Sequence, residues 1–121
     1  MPEIIFSVEC LPEDISPEDN ASAIDDETDA EILAWINAEL ESGNEWAWCQ
    51  VRVVARYGAF EGTDYLGGCS YRSEEDFKAG GYYEDMKAQA LIALEENIRL
   101  ALASLRGFSA ALKRAGGMAH A

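Results

Sequence analysis

Between Trp46 and Tyr57 the side chains alternate in character, and that run limits the fold more than any other stretch of the chain. Successive residues of a strand point to opposite faces, so a period of two specifies a strand with two unlike sides. One side reads Ala47, Cys49, Val51, Val53, Ala55 and Tyr57; the other reads Trp46, Trp48, Gln50, Arg52, Val54 and Arg56. The first is the better core face. Gly58-Ala59-Phe60-Glu61-Gly62 predicts a turn, and Thr63 to Tyr71 a second strand that pairs back. Gly67-Gly68 within it predicts a bulge or a close backbone approach.

Helical periods flank this pair. Glu3 to Glu9 reads as a first strand that Pro12 ends, and Ser16-Pro17 starts a short helix towards Ala23, with Ser as N-cap and Pro at the first helical position. Ile24 to Glu27 is a charged connector. Thr28 and Glu31 have the spacing of a capping box, Leu33, Ile36 and Leu40 follow at helical spacing, and Gly43 suits the C-cap, which predicts a helix over 28–42. Ser73 opens another helix that Gly80-Gly81 cuts to about one turn. The last helix starts near Tyr82, with Leu91, Leu94, Ile98, Leu102 and Leu105 on one stripe. Phe108 and Leu112 stay in phase if the helix passes through Gly107, at a cost of about 1 kcal/mol. Lys113 and Arg114 then close it before Gly116-Gly117, leaving a flexible tail over about 115–121. Ile92 and Leu100 lie off the stripe and suit an angled sheet contact or a second subunit in a homodimer. The order is strand, helix, strand, strand, long helix. That is an α+β two-layer sandwich, an antiparallel sheet packed against helices, in a single domain over 1–121.

Charge divides the chain at the start of the alternating run. Fourteen carboxylates lie between Glu3 and Glu45 with no Lys or Arg among them; the first base is Arg52, and the rest of the chain is balanced, so the net charge of −14 belongs to the first half. A one-signed end of a small protein carries a field of several kT and favours a partner with a basic surface. Direct nucleic-acid binding is disfavoured, because phosphates repel such a surface. No apolar run is long enough to span a membrane, and Met-Pro-Glu-Ile lacks the basic start of a signal peptide. Cys10, Cys49 and Cys69 are odd in number and widely spaced, which reads as buried thiols in a reducing cytoplasm.

Chemistry-bearing groups are sparse. His120 is the single histidine and lies in a Gly/Ala-rich tail, so it reads as part of a frayed end, and no triad or zinc set can be built around it. Asp25, Asp26, Glu27 and Asp29 lack the glycine and terminal glutamate of a calcium loop. The glycine pairs match no phosphate-binding fingerprint, and Glu84 and Asp85 follow Gly80-Gly81 where an anion would sit. No cofactor, metal or catalytic residue is expected. The candidate partner-binding residues are the dense patch Asp25, Asp26, Glu27, Asp29 and Glu31, with Trp46, Trp48 and Arg52 as a second contact face. Trp and Arg are the types most often found as interface hot spots.

The runs Gly43-Asn44-Glu45-Trp46-Ala47-Trp48-Cys49, Phe60 to Tyr71 and Gly80 to Ala88 resemble a family of small uncharacterised acidic proteins of bacteriophages, plasmids and related mobile elements, over most of residues 10 to 100. The resemblance implies a genomic context rather than a chemistry. Inhibitors of host defence found in such elements, the anti-restriction and anti-CRISPR proteins, are known to occupy basic nucleic-acid-binding grooves. The expectation is therefore a non-catalytic mimic of nucleic acid that binds a host protein. At the level of element order, helix 28–42, strands 46–57 and 63–71 and helix 82–106 resemble the double-stranded RNA-binding domain, without an evident third strand. That resemblance implies a nucleic-acid-binding or regulatory module as the alternative. Where the domain has a basic cluster at the start of its last helix, this chain has Tyr83-Glu84-Asp85-Met86-Lys87. A homo-oligomeric assembly protein is the third option.

Overall fold

A computed structural model describes residues 2–20 and 26–119, with the side chains of 19, 20, 26, 27 and 117–119 outside that description. Three strands, β1 (Ile5–Leu11), β2 (Cys49–Tyr57) and β3 (Phe60–Cys69), form one antiparallel sheet in the order β1-β2-β3. The helices are α1 (Pro17–Asn20), α2 (Asp26–Glu41), α3 (Glu74–Ala79) and α4 (Tyr82–Ala119), with a 3₁₀ turn at Glu45–Ala47. The α+β class and the element order agree with the sequence.

The core face of β2 is the one its alternation predicts. Cys49, Val51, Val53 and Ala55 are buried, and α4 lays Met86, Ala90 and Leu94 across them. Phe6, Val8 and Cys10 of β1 extend that face to one side and Leu66 and Cys69 of β3 to the other. Each of the larger aliphatic residues contributes about 1.5–3 kcal/mol on burial. The opposite face is the polar one that an antiparallel sheet can leave open. There Arg52 pairs with Glu9 across β1, and Arg56 pairs with Glu61 across β3 at 3.1 Å.

Local chemistry explains the connections. Gly58 has φ +58°, and the other loop residue, Ala59, does not have positive φ, which is the pattern of a type II′ hairpin. The turn is therefore two residues long, and β3 starts at Phe60 rather than Thr63. Gly67-Gly68 does both things the sequence allowed. The register shifts opposite the Cys49–Val51 step, and Gly68 takes φ +63° in the bulge while its N–H donates to Glu13 at 2.5 Å. At the end of α2, Gly43 takes φ +96°, Asn44 N–H donates to the Glu39 carbonyl and Gly43 N–H to that of Leu40, a Schellman closure.

Three further expectations about element limits change. α2 begins at Asp26, so Thr28 and Glu31 lie inside the helix rather than forming a capping box, and Glu27 is helical rather than part of a connector. The predicted extension of α1 to Ala23 falls outside the described residues, as does His120. Trp46 sits in the 3₁₀ turn, and β2 starts only at Cys49. α4 runs through Gly107 and also through Gly116 and Gly117, so residues 115–119 continue the helix. The sheet has its third strand, but it precedes α2 in the chain and pairs beside β2.

Candidate functional site

Part of the acidic half, with Glu13, Asp14 and Glu45, gathers where β1 ends and β2 begins, at the other end of the sheet from the point where α4 leaves it. Its frame is the segment from β1 to α1, held down at two points. Trp48 Nε1 donates to the Ile15 carbonyl at 2.9 Å, and the Glu13 carboxylate accepts from Gly68 N–H on β3. Ser73 and Asn44 fix the other side: Ser73 caps α3, and Asn44 accepts from Trp46 N–H at 3.2 Å while its amide donates to the Arg72 carbonyl.

Between this frame and the end of α2 lies a groove of about 560 Å³. Leu11, Ile15, Leu40 and Trp48 make its floor, and Glu13, Asp14 and Glu45 stand among its lining residues, with no Lys or Arg. Glu13 is occupied by Gly68, which leaves Asp14 and Glu45 as the exposed carboxylates of the groove. Along α2, Glu31 and Glu41 are exposed as well. Among the described residues, Asp14, Glu31, Glu41 and Glu45 make no ion pair; the paired acids are Glu9, Glu61, Glu74, Glu84 and Glu95. The acidic end thus keeps its charge at the surface.

The structure separates the expected site residues. Asp25 lies outside the described residues, and Asp26 and Glu27 are placed in the first turn of α2 by backbone only. Asp29 is half-buried on α2, and Glu31 is exposed. The expected second face does not assemble. Trp46 leaves the strand alternation through the 3₁₀ turn and stacks on Phe77 at 5.8 Å, on the core side. Trp48 is 7% exposed and serves as groove floor. Arg52 lies on the open face of the sheet, apart from both tryptophans, held by Tyr65 and Glu9, which together raise its pKa further. Two tryptophans two residues apart suggest one face only while the strand continues through both, and it does not.

No family model, curated protein or solved structure matches the chain.

One residue and one arrangement escaped the sequence reading. Phe77, fully buried, is ringed by Trp46, Tyr71 and Tyr83 and ties α3 to the core; its flanking charges, Asp76 and Lys78, concealed it. The thiols, expected to be buried, are so at Cys49 and Cys69 and half-buried at Cys10; what the sequence did not show is that the three converge at the acidic end. Cys49 pairs with Cys69 across β2 and β3, and Cys10 on β1 lies opposite Val51, close enough to Cys49 to help hold its thiol protonated. Burial raises all three, Cys69 to about 11 and Cys49 higher still, so they are protonated and poorly nucleophilic at neutral pH. Among the described residues no three His, Cys, Asp or Glu side chains are arranged to hold a metal ion, and no helix is long and apolar enough to cross a membrane.

Proposed function

We propose that the chain is a non-catalytic binding protein whose acidic end docks on a basic, nucleic-acid-binding surface of another protein, with carboxylates standing where phosphates would bind. The carrying observation is the groove. Its apolar floor and acidic, base-free rim suit a long cationic side chain, whose methylene stem packs on Ile15 and Trp48 while its head meets Asp14 and Glu45. The exposed acids of α2 extend the same sign of charge beside it, which steers a basic partner and makes association fall steeply with salt. A mobile-element origin, and inhibition of a host defence protein, fit this reading. The mirror-image role, in which the chain itself grips nucleic acid, has less support: Arg52, Arg56 and Lys87 are each engaged with carboxylates.

The test is capture of partners on the immobilised protein, elution in rising salt, and competition with duplex DNA or RNA. A captured nucleic-acid-binding protein should be released by the duplex. The fivefold variant Asp25→Asn, Asp26→Asn, Glu27→Gln, Asp29→Asn, Glu31→Gln should weaken its binding by about tenfold or more while the far-ultraviolet circular dichroism is unchanged. Unaltered affinity in that variant, or indifference to competing duplex, would sink the reading.

A further inference from the structure

We propose that α4 is the arm of a symmetric dimer: beyond Ile98 it pairs antiparallel with α4 of a second copy, and the tip of each arm fills an apolar groove at the base of the other. The proposal is independent of the acidic end. It starts from a repeat. Leu91, Ile98, Leu105 and Leu112 recur every seven residues, and Leu94, Ala101, Phe108 and Ala115 follow each of them by three. Four such heptads define the seam of a coiled coil. The first layers of the seam are used within the chain, where Leu94 is 2% exposed against the sheet. The later ones cover nothing: Leu105, Phe108 and Leu112 are 60%, 62% and 58% exposed.

The arm has little means of sustaining itself. The 38 residues of α4 span about 57 Å, and the sheet supports only those up to Ile98. The remainder contains Gly107, which costs about 1 kcal/mol in a helix interior, and Gly116 and Gly117 in its last turn, and isolated helices of this length are marginal in water. A seam partner supplies what the sequence of the arm lacks.

Charge selects that partner and its direction. From Tyr82 to Ile98 the helix carries Glu84, Asp85, Glu95 and Glu96 against Lys87 alone; from Arg99 onwards it carries Arg99, Arg106, Lys113 and Arg114 and no acid. A parallel pair would stack like on like. An antiparallel pair of the same helix brings the basic end of each arm, Lys113 and Arg114, towards the acidic stretch at Glu95 and Glu96 of the other, and a two-fold axis satisfies both ends at once. With Ala101 opposite the partner's Leu105 and Ile98 opposite the partner's Phe108, large faces small at the centre. Lys113 and Arg114 then come within about a turn of the partner's Glu95 and Glu96. The groove completes the fit. It measures about 410 Å³, is lined mainly by Ile4, Tyr57, Leu91, Leu94 and Ile98, and opens where α4 leaves the sheet. In this register it receives the partner's Phe108 and Leu112. Ile92 and Leu100 fall on the back of the repeat and stay at the surface of the pair.

Light scattering across a protein concentration series should give twice the protomer mass. Leu105→Gln/Phe108→Gln should raise the dissociation constant by at least tenfold, and because both residues are exposed in the protomer and far from Trp46 and Trp48, the tryptophan bands of the near-ultraviolet circular dichroism should not change. Direction is read by disulfide trapping. Ala101→Cys and Leu105→Cys chains should cross-link when mixed and not when separate. A protomer mass at every concentration, or a Leu105→Cys chain that cross-links to itself, as a parallel pair would, overturns the proposal.

Discussion

The three thiols are the residues whose individual chemistry shows most directly in stability. Each is held protonated by burial, with its folded pKa above that of the unfolded chain. The folded state therefore binds more protons than the unfolded state once pH passes the ordinary thiol value of about 8.5, and stability falls with rising pH. For Cys69 the stabilisation is fully present below that value and is lost as pH rises through about 11. Urea midpoints should be level near neutrality and decline over that window. Tyrosines and lysines titrate there too, so the informative quantity is the difference from Cys49→Ala/Cys69→Ala. The variant should show the shallower decline; equal slopes would mean that the thiols remain accessible to water in the folded state.

At the scale of elements, the tightest constraint is where α4 crosses β3. A Cβ on Gly62 would lie 2.1 Å from the Leu94 backbone nitrogen and 2.3 Å from the Ala90 carbonyl oxygen. Neither is a flexible side chain that can step aside, so Gly62→Ala must lift the helix from the sheet. Denaturant unfolding should show a loss of about 3 kcal/mol, the upper part of the range for overpacked cores. A loss below about 1 kcal/mol would mean that the helix already rides higher. The sequence hid this role, because Gly62 read as one end of a turn. What could be read was whatever depends on a local period: the core face of β2, the helical stripes and the order of elements. Boundaries set by one or two backbone groups were harder. The type II′ geometry at Gly58 shortened the turn, and the 3₁₀ turn capped by Asn44 turned Trp46 towards Phe77 and broke the expected tryptophan face. The acidic end was plain from composition, but its groove was not. The groove exists because Trp48 and Gly68 hold the 12–16 segment in place, and those contacts join positions more than 30 residues apart.

At the scale of the molecule, the governing fact is that its charge is segregated along the chain and remains so after folding. Ion pairs do form, but five of the six described join acids and bases at the surface of the sheet or along single helices with little shielding, and each such pair is worth about 0–1 kcal/mol. The Glu9–Arg52 pair is the most sheltered, and it ties an acid of the first half to the first base of the chain. Salt acts on the two populations with opposite signs: it weakens the pairs and relieves repulsion within the acidic end. Raising ionic strength from about 0.01 M to 0.15 M shortens the screening length from roughly 30 Å to 8 Å. That reaches across an acidic cap but changes a contact pair little. Repulsion should therefore dominate, and the melting temperature should rise with sodium chloride by roughly 3–6 °C, equivalent to about 1 kcal/mol for a chain of this size. The measurement belongs in the Leu105→Gln/Phe108→Gln background at low protein concentration, where salt cannot act through association. A melting temperature that fell instead would show that the paired charges outweigh the unpaired ones, and that the acidic end is less crowded than its sequence makes it.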